Sequence, residues 1–274
     1  MEQKEKELRE YVELVLGKCI HYFYMKEDAF FGPSYFVNDA YVVKDYIKED
    51  ALMLSIDRLK SVHEIIAPLK ISEKLLGIDE HKKVKITKVL HGDLSYEEEP
   101  HFTQIHNLAK VLKKLHKNVS ENDIPMDLVS LFYEFKNGSE NHLPKVYENR
   151  IVRELKEIKD KTPIGLCHNH LTKDNIVYRF DSAFLINFEL ANINYTYFDL
   201  ASFINENNLS QENKNEFLKT YFGASYNSLK ERRIEVFLRF LQGFYYYYYQ
   251  YLFSITNKEI YQKLAEKELK KING

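Results

Sequence analysis

The chain lacks tryptophan and carries two cysteines, six prolines and nine glycines in 274 residues. Cys19 and Cys167 are too few for a disulfide framework and both sit in apolar surroundings, so buried free thiols in a reducing compartment are expected. No apolar run approaches the ~20 residues that spanning a bilayer requires. The opening "MEQKEKELREYVELVLGK" is a charged amphipathic pattern without the apolar centre of a signal peptide. The protein is therefore expected to be cytoplasmic, with no membrane partner. A formal net charge of −2 removes any general electrostatic reason to expect nucleic acid. The pairs Lys82–Lys83 and Lys113–Lys114 read as solvated faces, and there is neither an internal repeat nor a long low-complexity linker.

What is present suffices for a sizeable core. Hydrophobic residues make up 45% and charged residues 29%, which fits one large domain or two lobes around a cleft. Residues 1 to 18 read as a helix, with Leu8, Tyr11, Val12, Leu14 and Val15 at roughly helical spacing. Short β-type runs follow, broken at Gly32–Pro33 and Asn38–Asp39. A helix is expected over about 50 to 65, then further strands with a turn at Gly77–Asp79. Beyond "HGDLSYEEEP" the pattern turns helical: "FTQIHNLAKVLKKLHKNV" places Ile105, Leu108, Val111, Leu112 and Leu115 on one face. Residues 140 to 161, and most of the chain from about 210, read as helix. The expected architecture is α+β, with a small sheet lobe at 1–90 and a larger, mainly helical lobe at 91–274.

The stretch "GLCHNHLTKDNIVY" (165–178), echoed by "FLINFELANINYTYFDLASF", has the layout of a phosphotransferase catalytic loop: a His, an Asn seven positions on, then a β-rich run. Phosphoryl transfer explains the residue types such a loop needs. An acid orients the acceptor hydroxyl, an Asn helps hold Mg²⁺, and a second acid on the next hairpin grips the metal bridging the phosphates. A lysine from the small lobe neutralises phosphate charge.

These two segments resemble the "HNDLxxxNIL … IDFEYAGxNYxxFDIA" signature of the choline and ethanolamine kinases, relatives of the aminoglycoside phosphotransferases. "ITKVLHG" (86–92) looks like that family's hinge and "LAKVLKKLH" (108–116) like the helix after it, so the similarity runs in order along nearly the whole chain. The resemblance implies a protein-kinase-like bilobal fold with an antiparallel small lobe. It also implies ATP and Mg²⁺ as cofactors and a small amino-alcohol such as choline as substrate. Carried over by position, Asn175 is the metal-binding Asn, His168 a structural His, and Asp199 the acid bracing the loop. Lys44 is the phosphate lysine, with Asp57 or Glu49 as its candidate carboxylate partner. Gly32 belongs to the phosphate-covering turn "FFGPSYF", and Ile86 and Val89 border the nucleotide. The plain alternative for Lys44 is an exposed strand lysine.

Two positions depart from the pattern. His170 stands where the family has its catalytic Asp, and Asn187 ("INFE") where it has the metal-binding Asp. Mg²⁺ prefers anionic oxygen, which an amide does not supply. A neutral imidazole, with an ordinary pKa of about 6.5, suits general-base work near neutrality, and Glu189 is a substitute metal ligand. Loss of both aspartates points to a catalytically impaired pseudokinase that binds nucleotide, an amino-alcohol or both. A working small-molecule kinase and a partner-binding protein without a ligand site are the alternatives.

"IEVFLRFLQGFYYYYYQYLFSI" occupies the place of the family's aromatic helix beside the choline pocket. Phe244, Tyr247, Tyr248 and Tyr251 are the candidates for cation–π contact with a quaternary ammonium. Five consecutive tyrosines point all round a helix, so at most two or three share one face. An ordinary buried helix is the plain alternative for most of them.

Overall fold

The computed structural model describes residues 2–29, 32–46, 54–92 and 99–273. The chain opens with α1 (Glu2–Leu16), β1 (Phe23–Ala29), β2 (Gly32–Val37), β3 (Tyr41–Asp45), α2 (Ile56–Ile66), β4 (Leu75–Asp79) and β5 (Val84–Lys88). Then come α3 (Phe102–Leu115), α4 (Leu128–Asn137), α5 (Lys145–Ile158), β6 (Ile164–Cys167), β7 (Ile176–Arg179), β8 (Ser182–Leu185) and β9 (Asn192–Tyr195). The remainder is helical: α6 (Thr196–Glu206), α7 (Gln211–Phe222), α8 (Ser228–Thr256) and α9 (Glu259–Asn273).

The chain divides into two compact units, one of residues 1–95 with 174–191, the other of 96–173 with 192–274. A single cut at 90 therefore misses the return of 174–191 to the first unit. Main-chain bonding explains that return, because Leu185 N–H donates to Ile71 O and Ser72 bridges Leu185 in parallel.

In the first unit an antiparallel sheet runs in the order β1-β2-β3-β5-β4. Leu8 and Val12 of α1 pack on Val37, Val43, Val84 and Ile86 from its strands. Leu14, grouped with that stripe by sequence, is 80% exposed. It falls off the i, i+4, i+7 face that begins at Leu8. The turn expected at Gly77–Asp79 lies instead at residues 80–83, and Gly77 is a strand residue. A Cβ there would lie 3.0 Å from Val15 Cγ1, so glycine lets α1 close on β4. The expected helix over 50 to 65 is capped by Ser55, whose side chain accepts from Arg58 N–H, and runs from Ile56.

The second unit is organised on α8, 29 residues or about 44 Å long. Tyr245 to Tyr249 are all buried, so over this stretch the helix is enclosed on every side rather than striped. Neighbours α4, α5, α6 and α9 supply the enclosure. A short β6–β9 ladder pairs Gly165 with Asn194. A Cβ on Gly165 would lie 2.2 Å from His116 O, so only glycine fits where β6 passes the end of α3.

Candidate functional site

The first unit carries a cleft of about 250 Å³ whose walls follow from strand alternation. Lys44 on β3 lies directly opposite Lys85 on β5, and Val43 opposite Ile86. Val43 and Ile86 point into the α1 core. Val42, Lys44, Lys85 and Thr87 point the other way and line the cleft with Val89, Val177, Ile186 and Asn187. Of the two residues expected to border a nucleotide, Val89 lies at the cleft. Ile86 does not: it is a core residue, one strand position out of phase with Lys85 and Thr87, which line the cleft. Gly32 opens β2 with φ of 141° and is not among the residues lining the cleft. Phe30 and Phe31 of its turn lie outside the described residues.

Two lysines facing each other across adjacent strands repel unless an anion intervenes. Glu189 is that anion. Its Oε1 accepts from Lys44 Nζ at 2.9 Å, Lys85 Nζ at 3.0 Å and Tyr46 Oη at 2.7 Å. Glu73 Oε1 lies 3.7 Å from Lys85 Nζ and completes a group of two lysines and two glutamates. Burial alone would raise the Glu189 carboxyl, but Lys44 and Lys85 hold it well below the usual range. Burial lowers Lys44 despite Glu189 beside it. Burial and the same carboxylate push Tyr46 well up.

Asn187 adopts φ of 65°, a left-handed conformation that asparagine tolerates better than most residues. Its Oδ1 accepts from Lys44 Nζ at 2.7 Å, and its Nδ2 donates to Asn175 Oδ1 at 2.7 Å. The structure thus brings Asn175, Asn187, Glu189 and Lys44 together, and the donor set does not fit Mg²⁺. Each amide oxygen already takes an N–H donor, and the single carboxylate is shared by two ammonium groups and a phenol. A hard dication needs free anionic oxygen.

Among the described residues, no carboxylate of the helix after β3 reaches that place. Asp57 joins the exposed Lys60–Glu80 pair instead, and Glu49 lies outside the described residues. What α2 turns inward is His63, 2% exposed, with its pKa lowered to about 3 by burial and then by Lys85.

The second unit holds the motif loop. Asp199, fully buried on α6, accepts from His168 N–H at 2.8 Å and Asn169 N–H at 2.7 Å. Its Oδ2 also meets His116 Nε2 at 3.0 Å, and His116 Nδ1 meets Tyr221 Oη at 2.7 Å. Asn169 Oδ1 accepts from Asn194 Nδ2 at 2.8 Å, and Leu171 N–H donates to Ser202 Oγ at 3.2 Å. His168 is buried, and its Nδ1 lies 3.3 Å from the N–H of half-buried His170. The loop is therefore held from several sides.

The aromatic candidates are placed otherwise than expected. Phe244, Tyr247 and Tyr248 are at most 5% exposed. Phe135 of α4 packs against Phe244 and Tyr248, and Phe132 against Tyr247. Tyr247 Oη donates to Glu148 and accepts from Leu143 N–H at 2.8 Å. These three rings are core residues because α8 is enclosed all round. Half-buried Tyr251 lies 5.4 Å from the Phe135 ring.

Sequence reasoning missed Lys85, Tyr46, Glu73, His63 and His116. The alternation Val84–Lys85–Ile86 in "VKIT" (84–87) puts Lys85 and Thr87 on one strand face and Val84 and Ile86 on the other. Nothing in the sequence pairs His116 with Asp199, 83 residues away.

No family model matches the chain. Protein LicA of Haemophilus influenzae is 23% identical over 156 residues, 53% of this chain and 57% of that protein. The chain spans about half the length of the curated relatives it matches. A choline/ethanolamine kinase family protein from Mesorhizobium loti superposes with a TM-score of 0.77 at 14% identity, covering 98% of this chain and 94% of that one. This is the fold of the choline and ethanolamine kinases. A LicA structure in complex with AMP has a TM-score of 0.76 at 15% identity, covering 98% of this chain and 97% of that one. The choline kinase-like architecture places Lys44 on a central strand of the first unit's sheet and the His168–Leu171 loop on α6 of the second. No helix among the described residues is long and apolar enough to cross a membrane.

Proposed function

We propose that this choline kinase-like protein binds a nucleotide without Mg²⁺ and is impaired in phosphoryl transfer. The amide clasp between Asn175 and Asn187, closed by Lys44, carries this reading. In it Lys44 and Lys85 supply the positive charge that a metal contributes elsewhere, and both line the cleft beside apolar Val42, Val89, Val177 and Ile186. An incoming phosphate competes with Glu189 and Asn187 for the Lys44 ammonium, so nucleotide binding opens the clasp. A LicA structure with AMP supports a nucleotide as the ligand class, and the fold supports a small amino-alcohol such as choline as the second ligand. His170, in the position of the family's base, keeps a proton-accepting group near the loop but adds no metal-binding oxygen.

Titration calorimetry with AMP, ADP and ATP, each with and without Mg²⁺, tests the first half. Equal affinity in both conditions is expected, and binding that requires Mg²⁺ overturns it. Phosphocholine formation from ATP, Mg²⁺ and choline tests the second half. No product from the unmodified protein is expected, with product from His170→Asp/Asn187→Asp. Turnover by the unmodified protein would make it a working kinase using His170 and Glu189. Absence of any nucleotide response would favour a partner-binding protein.

A further inference from the structure

A groove of about 390 Å³ in the second unit lies between α5 and the first half of α8. One wall is a single face of α8, on which Leu229, Arg232, Arg233, Val236 and Arg239 recur at helical spacing. The other wall runs along α5 to Lys161, just past its end. The two walls are antiparallel, because Arg239 bonds Glu154 while Arg233 bonds the later Lys161 O. Those two ends of the groove are six α8 positions apart, a span of about 9 Å.

The charges on these walls do not balance. Arg153, Lys161, Arg232, Arg233 and Arg239 face only Glu154 and Glu157. Both carboxylates are already committed. Glu154 accepts from Arg239 Nη2 at 2.8 Å and Arg150 Nε at 2.9 Å, and Glu157 lies 4.0 Å from Arg153 Nε. Arg233 Nη1 donates to Lys161 O at 2.8 Å, and its guanidinium also bonds the Tyr197 hydroxyl. Both acceptors are neutral, so they fix the guanidinium without cancelling its charge. Lys161 and Arg232 are exposed and have no side-chain partner among the described residues. Carboxylates flanking the groove are turned elsewhere: Glu235 pairs with Lys214, while Asp160 and Glu231 act on Tyr195 and Tyr226. Three cations therefore share one concave surface with no counter-charge, and an anion relieves their repulsion. Guanidinium forks match two oxygens of one phosphate, and the volume falls within the ~300–1,000 Å³ of small-molecule sites.

We propose that this groove binds a small polyphosphate anion, its phosphate oxygens on Lys161, Arg232 and Arg233. The site lies wholly in the second unit and does not depend on the nucleotide binding proposed for the first.

The test is calorimetry on the full chain at low salt with tripolyphosphate as the probe. Orthophosphate carries less charge and is expected to bind about tenfold more weakly (~1.4 kcal/mol). Lys161→Gln/Arg232→Gln removes two exposed side chains without partners, and is expected to weaken tripolyphosphate at least about tenfold. Lys145→Gln/Lys156→Gln removes the same charge from exposed α5 positions off the wall and is expected to bind like the unmodified protein. Leu229→Glu puts a carboxylate on the wall and is expected to abolish binding. It falls in the first turn of α8, which begins at Ser228, where a negative charge suits the helix. Circular dichroism checks that each variant is folded. Undiminished binding by Lys161→Gln/Arg232→Gln puts the anion elsewhere, the Lys44–Lys85 cleft included, and overturns the proposal. So does an equal loss in Lys145→Gln/Lys156→Gln, equal affinity for the two phosphates, or no binding by the unmodified protein.

Discussion

Replacing Glu189 by glutamine preserves shape and removes the charge on which the first unit's polar core converges. In the native protein one carboxylate oxygen receives Lys44, Lys85 and Tyr46 at 2.7–3.0 Å. Without the charge, two ammonium groups remain opposed across β3 and β5, with Glu73 at 3.7 Å from one of them. Removing one member of a buried ion pair typically costs ~3–5 kcal/mol, because it strands the other. A loss of about 4 kcal/mol at pH 7 is therefore expected, read by urea unfolding and far-UV circular dichroism, since the chain has no tryptophan to report. The pH dependence has a definite sign. The native carboxyl is held well below its ordinary value of 4.5, so its contribution is complete above about 4.5 and fades as pH falls through the folded value. The deficit of Glu189→Gln should shrink only below that window. Adding Lys85→Met to Glu189→Gln should recover part of the loss, because one stranded charge goes with it. A deficit under about 1 kcal/mol, or one unchanged into strong acid, would refute the reasoning.

Three further outcomes are expected. Asp199→Ala leaves the His168 and Asn169 amides without their acceptor; at ~1–3 kcal/mol each the cost is about 2–6 kcal/mol, and hydrogen exchange at both amides should accelerate. Glu206 on α6 has its carboxyl raised from 4.5 to about 7 by burial and by Glu268. Its ionisation therefore removes stability as pH rises from about 4.5 through 7, and Glu206→Gln should gain about 3 kcal/mol at pH 8 and little at pH 4, measured by unfolding at both pH values. His63, lowered from 6.5 to about 3, takes up its proton only in the unfolded chain across that interval. Stability then falls by about 3 kcal/mol between pH 6.5 and 4, and that acid limb should flatten in His63→Gln.

The sequence by itself determined the local structure wherever periodicity and caps agree. The Leu8–Val12 face of α1, the Ile105–Leu115 face of α3, the turn at Asn38–Asp39 and the loop motif at 165–178 follow from nearest neighbours in the chain. The motif also singled out Asn175, Asn187, Glu189 and Asp199, because phosphotransfer loops require particular residue types at fixed spacing. Strand phase is equally local, yet which face meets the α1 core stays open until the β3–β5 register is known, and that register turns Ile86 to the core and Lys85 to the cleft.

Only the tertiary structure decided the partners. Glu189 meets Lys44 across 145 positions and Lys85 across 104, while Asp199 meets His116 across 83. No helix or strand period reaches over such separations. The enclosure of α8 likewise decided that Phe244, Tyr247 and Tyr248 are core residues. A run of tyrosines is compatible with a pocket wall or with burial, and the choice rests on how many helices surround it. The clasp between Asn175 and Asn187 is the clearest case. Both residues were visible in the sequence, Asn175 as the metal-binding Asn and Asn187 as a weakened ligand, but their oxygens are committed to N–H donors only because folding brings one amide and the Lys44 ammonium within 2.7 Å.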